Sequence, residues 1–467
     1  MPLSTRREWL SAAAAVGAAS LAPQNLFAQE VPPDGFHLAT FSADITPPLG
    51  HPLLAGWRKP AEKILDRLQA RGIVLRGAGA PIVLAALDWC ELRNDAYDFV
   101  RDALADATGT QRQRVLLACV HQHDTPLMDL EAGRLLAGVG LEGRMFDLDF
   151  FQQAISDTAQ AAKKCLTRRQ RITHLGVGQA TVQKIACNRR VQLPGQRPTF
   201  SRYSFTRDQA IRDAPEGLID PLLKTISFWQ DDRPLAAVSC YATHPMTYYG
   251  RGEVSTDFVG LARAQRQRDN ADVFQMFVTG CGGDLTAAKY NTGTSDGRQE
   301  LAGRLVDGMV DAWEATQRTP LKQIAFRCGE LQLPPETAGS LAPAALEAKL
   351  ADTTASYQER CIAALGLSWQ KRCAAGQPID LPVVDFGDAL LTLLPAEAFV
   401  AFGLAAQKMS PEQLVMAVGY GECAPGYLPT ASARKEGFVH EHAYTWTAPG
   451  AEAALLQTLR TTLPARR

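Results

Sequence analysis

Val115-Leu116-Leu117-Ala118-Cys119-Val120 runs directly into His121-Gln122-His123-Asp124-Thr125-Pro126. The first six residues are apolar without interruption, and their length and composition read as a buried strand. Strand side chains repeat every second residue, so the His-x-His spacing sets both imidazoles on one side of the chain where the strand ends. Two imidazoles so placed either share a metal ion or form a hydrogen-bonded pair of loop histidines. The choice turns on what else in the chain reaches the same place.

Outward from this stretch the pattern repeats. The β-type runs 73–75 and 82–87, separated by Gly77-Ala78-Gly79, predict a hairpin whose second strand ends in Asp88. Strands over 222–229 and 235–243, joined by the turn Asp231-Asp232-Arg233-Pro234, lead into His244-Pro245. A strand over 273–278 ends in Thr279-Gly280-Cys281-Gly282-Gly283-Asp284-Leu285-Thr286. Glycines at that density either bring backbone N–H groups close to a ligand or make a tight turn. The apolar run 381–394 ends in Pro395-Ala396-Glu397, and a strand over 414–418 precedes a Gly/Pro-rich loop over 419–429. Helical spacing marks 95–107, 146–166, 257–268, 300–316, 399–408 and 451–463, and 343–370 reads as an amphipathic lid or helical hairpin. The stretch 176–207 reads as a strand followed by an irregular loop carrying Asn188-Arg189-Arg190. The whole predicts an α/β fold of mixed sheets flanked by helices, with the active site at the C-terminal ends of strands.

The 467 residues suit one large domain or two closely packed ones. With 48 Lys plus Arg against 49 Asp plus Glu, bulk electrostatics offers no case for nucleic acid or an anionic membrane surface. Ser4-Thr5-Arg6-Arg7-Glu8-Trp9-Leu10 and the Ala-rich stretch after it read as a twin-arginine export signal over residues 1–28, which implies a periplasmic or extracellular protein. That stretch is shorter than the ~20 apolar residues of a membrane span, and no later segment reaches that length. The ten cysteines are scattered without a Cys-x-x-Cys pair. Several lie in apolar runs, so reduced, buried thiols are expected, with Cys361–Cys373 the one disulfide worth checking.

His121, His244, Asp284 and Glu397 each follow an apolar strand by one to six residues. Two histidines and a carboxylate are a standard zinc set, leaving a fourth place for another ligand, water or substrate. Local alternatives stand beside this. Asp284 after two glycines also suits a helix N-cap, Asp88 suits a turn or a partner of a metal-bound histidine, and His440-Glu441-His442 offers a second His-x-His pair.

The succession Asp44-Ile45-Thr46-Pro47-Pro48-Leu49-Gly50, His121-x-His123, His244-Pro245, Ser255-Thr256-Asp257-Phe258-Val259-Gly260, Gly283-Asp284 and Pro395-Ala396-Glu397 resembles, in order, the landmarks of the neutral/alkaline ceramidases. The resemblance is to their N-terminal catalytic domain and spans nearly all of a mature chain, placing one zinc hydrolase domain over 36–464. The trailing immunoglobulin-like domain of full-length members is expected to be missing.

The resemblance implies zinc held by His121, His244, Glu397 and Tyr427, although Tyr427 in its Gly/Pro-rich loop also reads as a packed aromatic. It implies His123 beside the metal as a catalytic group, Asn188 and Arg189 positioning the polar end of the substrate, and Asp284 or His123 moving protons. It also implies cleavage of an amide in a small-molecule N-acyl or lipid-like substrate. Two departures matter. His-Thr-His-Ser-Gly-Pro of the family is His-Gln-His-Asp-Thr-Pro here, and Thr286 stands at the family's serine, a nucleophile or a group polarising the scissile amide, so the resemblance implies catalytic assistance by the Thr286 hydroxyl with an added methyl. These changes sustain a second reading, a ceramidase-like zinc protein that binds a ligand without turnover. A metal phosphoesterase would need two metals and more strand-end aspartates than the chain offers.

Overall fold

In a computed structural model of the chain, residues 33–438 and 444–464 are described. The twin-arginine stretch and the His440–His442 pair lie outside them. Among the described residues the strands build two large mixed sheets. The first holds β1 (Phe36–Asp44), β2 (Gln69–Arg76), β3 (Ile82–Leu87), β4 (Val115–Cys119) and β5 (Gln170–Ile172), in the order β4-β3-β2-β1-β5. The second holds β6 (His174–Thr181), β7 (Leu222–Gln230), β8 (Arg233–Ala242), β9 (Phe274–Gly280), β10 (Gln317–Pro320), β11 (Ala325–Leu331), β12 (Ile379–Asp385), β13 (Ala389–Leu393) and β14 (Leu414–Val418). Its order is β10-β6-β7-β8-β9-β14-β13-β12-β11. The main helices are α1 (Asn94–Thr108), α2 (Leu130–Ala137), α3 (Leu148–Cys165), α4 (Asp257–Asp269), α5 (Ser295–Glu314), α6 (Pro343–Ala351), α7 (Tyr357–Ala374), α8 (Val400–Met409) and α9 (Ala451–Thr462). None of these is long and apolar enough to cross a membrane.

The uninterrupted apolar runs of β3 and β4 have a packing reason, since these strands are covered on both faces. Leu84, Leu116 and Ala118 meet Val238, Met276, Val278, Leu391 and Leu393 of the second sheet around a small apolar cavity. The alternate residues Val83, Ala85, Leu87 and Leu117 join the core formed with Val100 and Leu104 of α1 and Phe151 and Ile155 of α3. The sheets therefore lie face to face with helices outside them, the α/β architecture that the alternation of elements predicts.

Sheet pairing also positions the site. β8 runs parallel to β9, with Ala242 opposite Gly280, and β13 runs parallel to β14, with Leu393 opposite Val418. The two pairs meet at their tips, where Gly280 faces Val418. The first sheet joins at the same point, because the Cys119 amide at the end of β4 donates to the Tyr420 carbonyl at 3.0 Å. Five strand ends from two sheets thus converge, and the loops leaving them carry His121, His244, Asp284, Glu397 and Tyr427.

The structure corrects some of the sequence expectations and meets others. The apolar run over 381–394 is not one element but the hairpin β12–β13, turned at Gly387 with φ of 91°. The 343–370 segment is the hairpin α6–α7, with α7 largely buried. The ten cysteines are all free, the reduced state expected from the sequence. Cys361 and Cys373 lie on α7 itself, about 18 Å apart along its axis, beyond the reach of a disulfide. The polar edge strand β10 and the mixed β11 escape pattern reading because their alternation is interrupted by half-exposed residues.

A candidate metal centre at the converging strand ends

His121 follows β4 by two residues and has φ of 72°, in the left-handed region that non-glycine residues seldom occupy. Ala396, just before Glu397, has φ of 69°, and Tyr420, two residues past β14, has φ of 56°. Such conformations cost on the order of 1–3 kcal/mol each and gather where surrounding packing holds a site in place. The glycine run has a different job from the one its density suggests. A Cβ on Gly282 would lie 2.1 Å from the Thr243 carbonyl, and one on Gly283 2.0 Å from the Glu397 carbonyl. Glycine is required so that the three site-bearing backbones can touch.

Three imidazoles meet here with one tautomer fixed. The Nδ1 atoms of His121, His123 and His244 face the carbonyls of Cys90 (2.9 Å), Pro245 (2.9 Å) and Gly282 (3.1 Å). A carbonyl only accepts, so each Nδ1 carries a hydrogen and each neutral ring presents a bare Nε2 lone pair. His121 Nε2 lies 3.3 Å from Glu397 Oε2, and His244 Nε2 lies 3.8 Å from the same oxygen. Ligands about 2.0–2.1 Å from a tetrahedral ion stand about 3.3–3.4 Å apart, so the spacing fits a single cation. The donor set fits as well: His121 Nε2 and Glu397 Oε2 are buried without a hydrogen-bond partner, which is costly unless something binds them. Cys90, His121 and His123 also cluster within ligand distance of one another. There, however, His121 Nδ1 is committed to the Cys90 carbonyl, and burial pushes the Cys90 thiol well up.

Electrostatics separates the histidines. Burial pulls the His121 pKa down, but the Glu397 carboxylate beside it reverses this and the net shift is upward. Burial, followed by the neighbouring His121 charge, holds His123 and His244 well below the usual range, so both are neutral. His123 Nε2 stands 3.2 Å from His244 Nε2.

Glu397 and Tyr427 sit side by side in a short parallel ribbon. The Tyr427 hydroxyl accepts from Arg189 Nη1 at 2.8 Å, and the Arg189 guanidinium lies 4.2 Å from the Phe200 ring. Asn188 donates to Asp284 Oδ2 at 2.8 Å, while Asp284 Oδ1 accepts from the Val400 amide at 2.8 Å. Asp284 therefore ties Asn188 to the first turn of α8 and is a cap, though of a helix remote in sequence. The Thr286 hydroxyl donates to the Tyr203 carbonyl and accepts from the Ala288 amide at 3.1 Å. Asp88 forms a two-pronged ion pair with Arg263, 2.7 Å on each prong, and accepts from the side chain of Gln122 at 3.2 Å. It braces the His-x-His loop through Gln122 rather than through a histidine.

Pattern reading missed a buried brace behind the site. Arg93 is fully buried and donates to Glu91 Oε2 (2.9 Å), Tyr444 Oη (2.8 Å) and the Cys423 and Ala424 carbonyls (2.9 and 2.7 Å). Tyr444 donates to Glu91 at 2.6 Å. The strand Glu91–Arg93 begins right after the carbonyl that orients His121, so this brace joins His121 to the loop bearing Tyr427. Its sequence signal is the one used above, polar residues just past a strand end, here past β3.

Fold and centre together define a two-sheet α/β protein with a buried His/His/Glu group of metal-ligand geometry. No family model and no curated protein matches the chain. Solved structures do: a ceramidase described as complexed with C2 superposes over 91% of this chain and 74% of its own, with a TM-score of 0.67 and 18% identity. The neutral ceramidase of Pseudomonas aeruginosa covers the same shares, with a TM-score of 0.64 and 17% identity. The chain has the ceramidase fold.

Proposed function

We propose that this chain is a zinc-dependent amidohydrolase acting on an N-acyl compound, one folded domain over 36–464 behind an export signal at 1–28. The convergence of His121 Nε2, His244 Nε2 and Glu397 Oε2 carries the reading, and the ceramidase fold directs it towards lipid-like amides. Tyr427, in register with Glu397, completes the ligand set. Bound zinc supplies Lewis-acid chemistry, polarising an amide carbonyl and making water acidic enough to react near neutral pH. His123, neutral and with its Nδ1 proton committed to Pro245, offers Nε2 to accept a proton from water and return it to the departing amine, which leaves only once protonated. Arg189 holds the Tyr427 hydroxyl, and with Asn188 it faces the polar end of the substrate. Asp284 and Thr286 support this side of the site, through Asn188 and through the Tyr203 carbonyl.

A second reading, ligand binding without turnover, draws on Thr286, whose hydroxyl is engaged on both its donor and acceptor sides. Fluorogenic N-acyl and ester substrates assayed with and without chelator separate the two. The amidohydrolase reading expects amide cleavage that chelator abolishes and zinc restores; inactivity throughout, with zinc bound, favours the binding protein.

A further inference from the structure

Tyr420 is fully buried two residues past β14, and the backbone around it is tied to the ends of β4, β9 and β13. Its carbonyl accepts from the Cys119 amide, the Gly419 amide donates to Thr279 at 2.9 Å, and the Gly421 amide donates to Leu394 at 3.1 Å. Its φ of 56° turns the side chain back between two histidines. The ring stacks on the His121 imidazole with centroids 4.1 Å apart and planes 18° apart. The hydroxyl lies 3.4 Å from His244 Nδ1 and 3.4 Å from the Thr243 carbonyl. A Cβ on Gly282 would come within 3.1 Å of that hydroxyl, so the neighbouring glycine also makes room for it.

A hydrogen bond from Nδ1 to a carbonyl fixes where one ring atom points, but the imidazole plane still swings about that bond. A flat ring pressed on its face removes the remaining freedom. We infer that Tyr420 is a positioning residue of the metal centre, fixing the plane of His121 by stacking on its face. The inference rests on the metal reading above. Supports of this kind behind a ligand typically contribute 10–100-fold in metal affinity.

The test uses the full chain as wild type, Tyr420→Phe, Tyr420→Leu and Tyr420→Met. Zinc affinity is read by competition with a chromogenic chelator, ligand geometry by the visible spectrum of bound cobalt(II), and folding by thermal melts of the metal-free forms. Tyr420→Phe keeps the stack and is expected to bind zinc nearly as wild type. Tyr420→Leu and Tyr420→Met are expected to fold but bind about 10–100-fold more weakly, with an altered cobalt spectrum. Wild-type affinity and spectrum in either aliphatic variant overturn the inference. So does failure of both to fold while Tyr420→Phe is intact, since the ring would then serve the fold rather than the ligand. Absence of zinc binding by wild type overturns the metal reading itself, and this inference with it.

Discussion

A proton and a cation compete for the same lone pair on His121. Its Nδ1 is committed to the Cys90 carbonyl, so Nε2 alone takes either one. Glu397 raises the His121 pKa above 6.5, while His123 and His244 are held neutral far below it. The sign follows: below the raised pKa the proton must leave before metal enters, and above it His121 is ready. His121 therefore releases one proton per ion below its raised pKa and Tyr427, where it binds as phenolate, a second, so apparent zinc affinity is expected to fall about ten- to a hundredfold for each pH unit below that pKa. Competition titrations from about pH 5.5 to about pH 8.5 read the slope; a slope near three, or none, contradicts this division of the histidines. At this scale the strand-end rule picked out His121, His244 and Glu397, which the structure brings together. The same rule reaches Arg93 past β3 and Tyr420 past β14, but their partners, a buried carboxylate pair and an imidazole face, have no periodic signal.

The elements meet through backbone contact and one buried arginine. Gly282 and Gly283 let the loops after β8, β9 and β13 touch, and Arg93 pins the segment after β3 to the loop after β14. Its carboxylate partners Glu91 and Asp129 are buried with it, at 2.9 and 3.6 Å. Removing one member of a buried charge group leaves the others uncompensated, at a cost of about 3–5 kcal/mol. Arg93→Met is expected to lose stability of that order in denaturant unfolding and to weaken zinc binding in whatever fraction stays folded. A loss under about 1 kcal/mol would mean that the brace is not needed. Periodicity located α1, α3, α4, α8 and β14 to within a few residues. It ran 381–394 together because the turn at Gly387 is short, and it left out β10 because an exposed edge strand needs no apolar face.

At the scale of the molecule, the α/β class and the placing of the site at strand ends were legible from the alternation of runs and the residues that follow them. The closing of the second sheet was not, since the meeting of its β9 and β14 rests on one residue pair, Gly280 with Val418. That junction gathers four strand ends, the Cys119–Tyr420 hydrogen bond adds β4 as the fifth, and scattered histidines and a glutamate become one cluster. The central claim is that this centre is a zinc site held by His121, His244 and Glu397. Metal analysis after equilibrium dialysis against a large volume of buffered, low free zinc tests it directly, on wild type, His121→Ala and Glu397→Ala. One zinc per wild-type chain is expected, and a loss of most of it in each variant. No zinc in the wild type, or full occupancy in both variants, would contradict it.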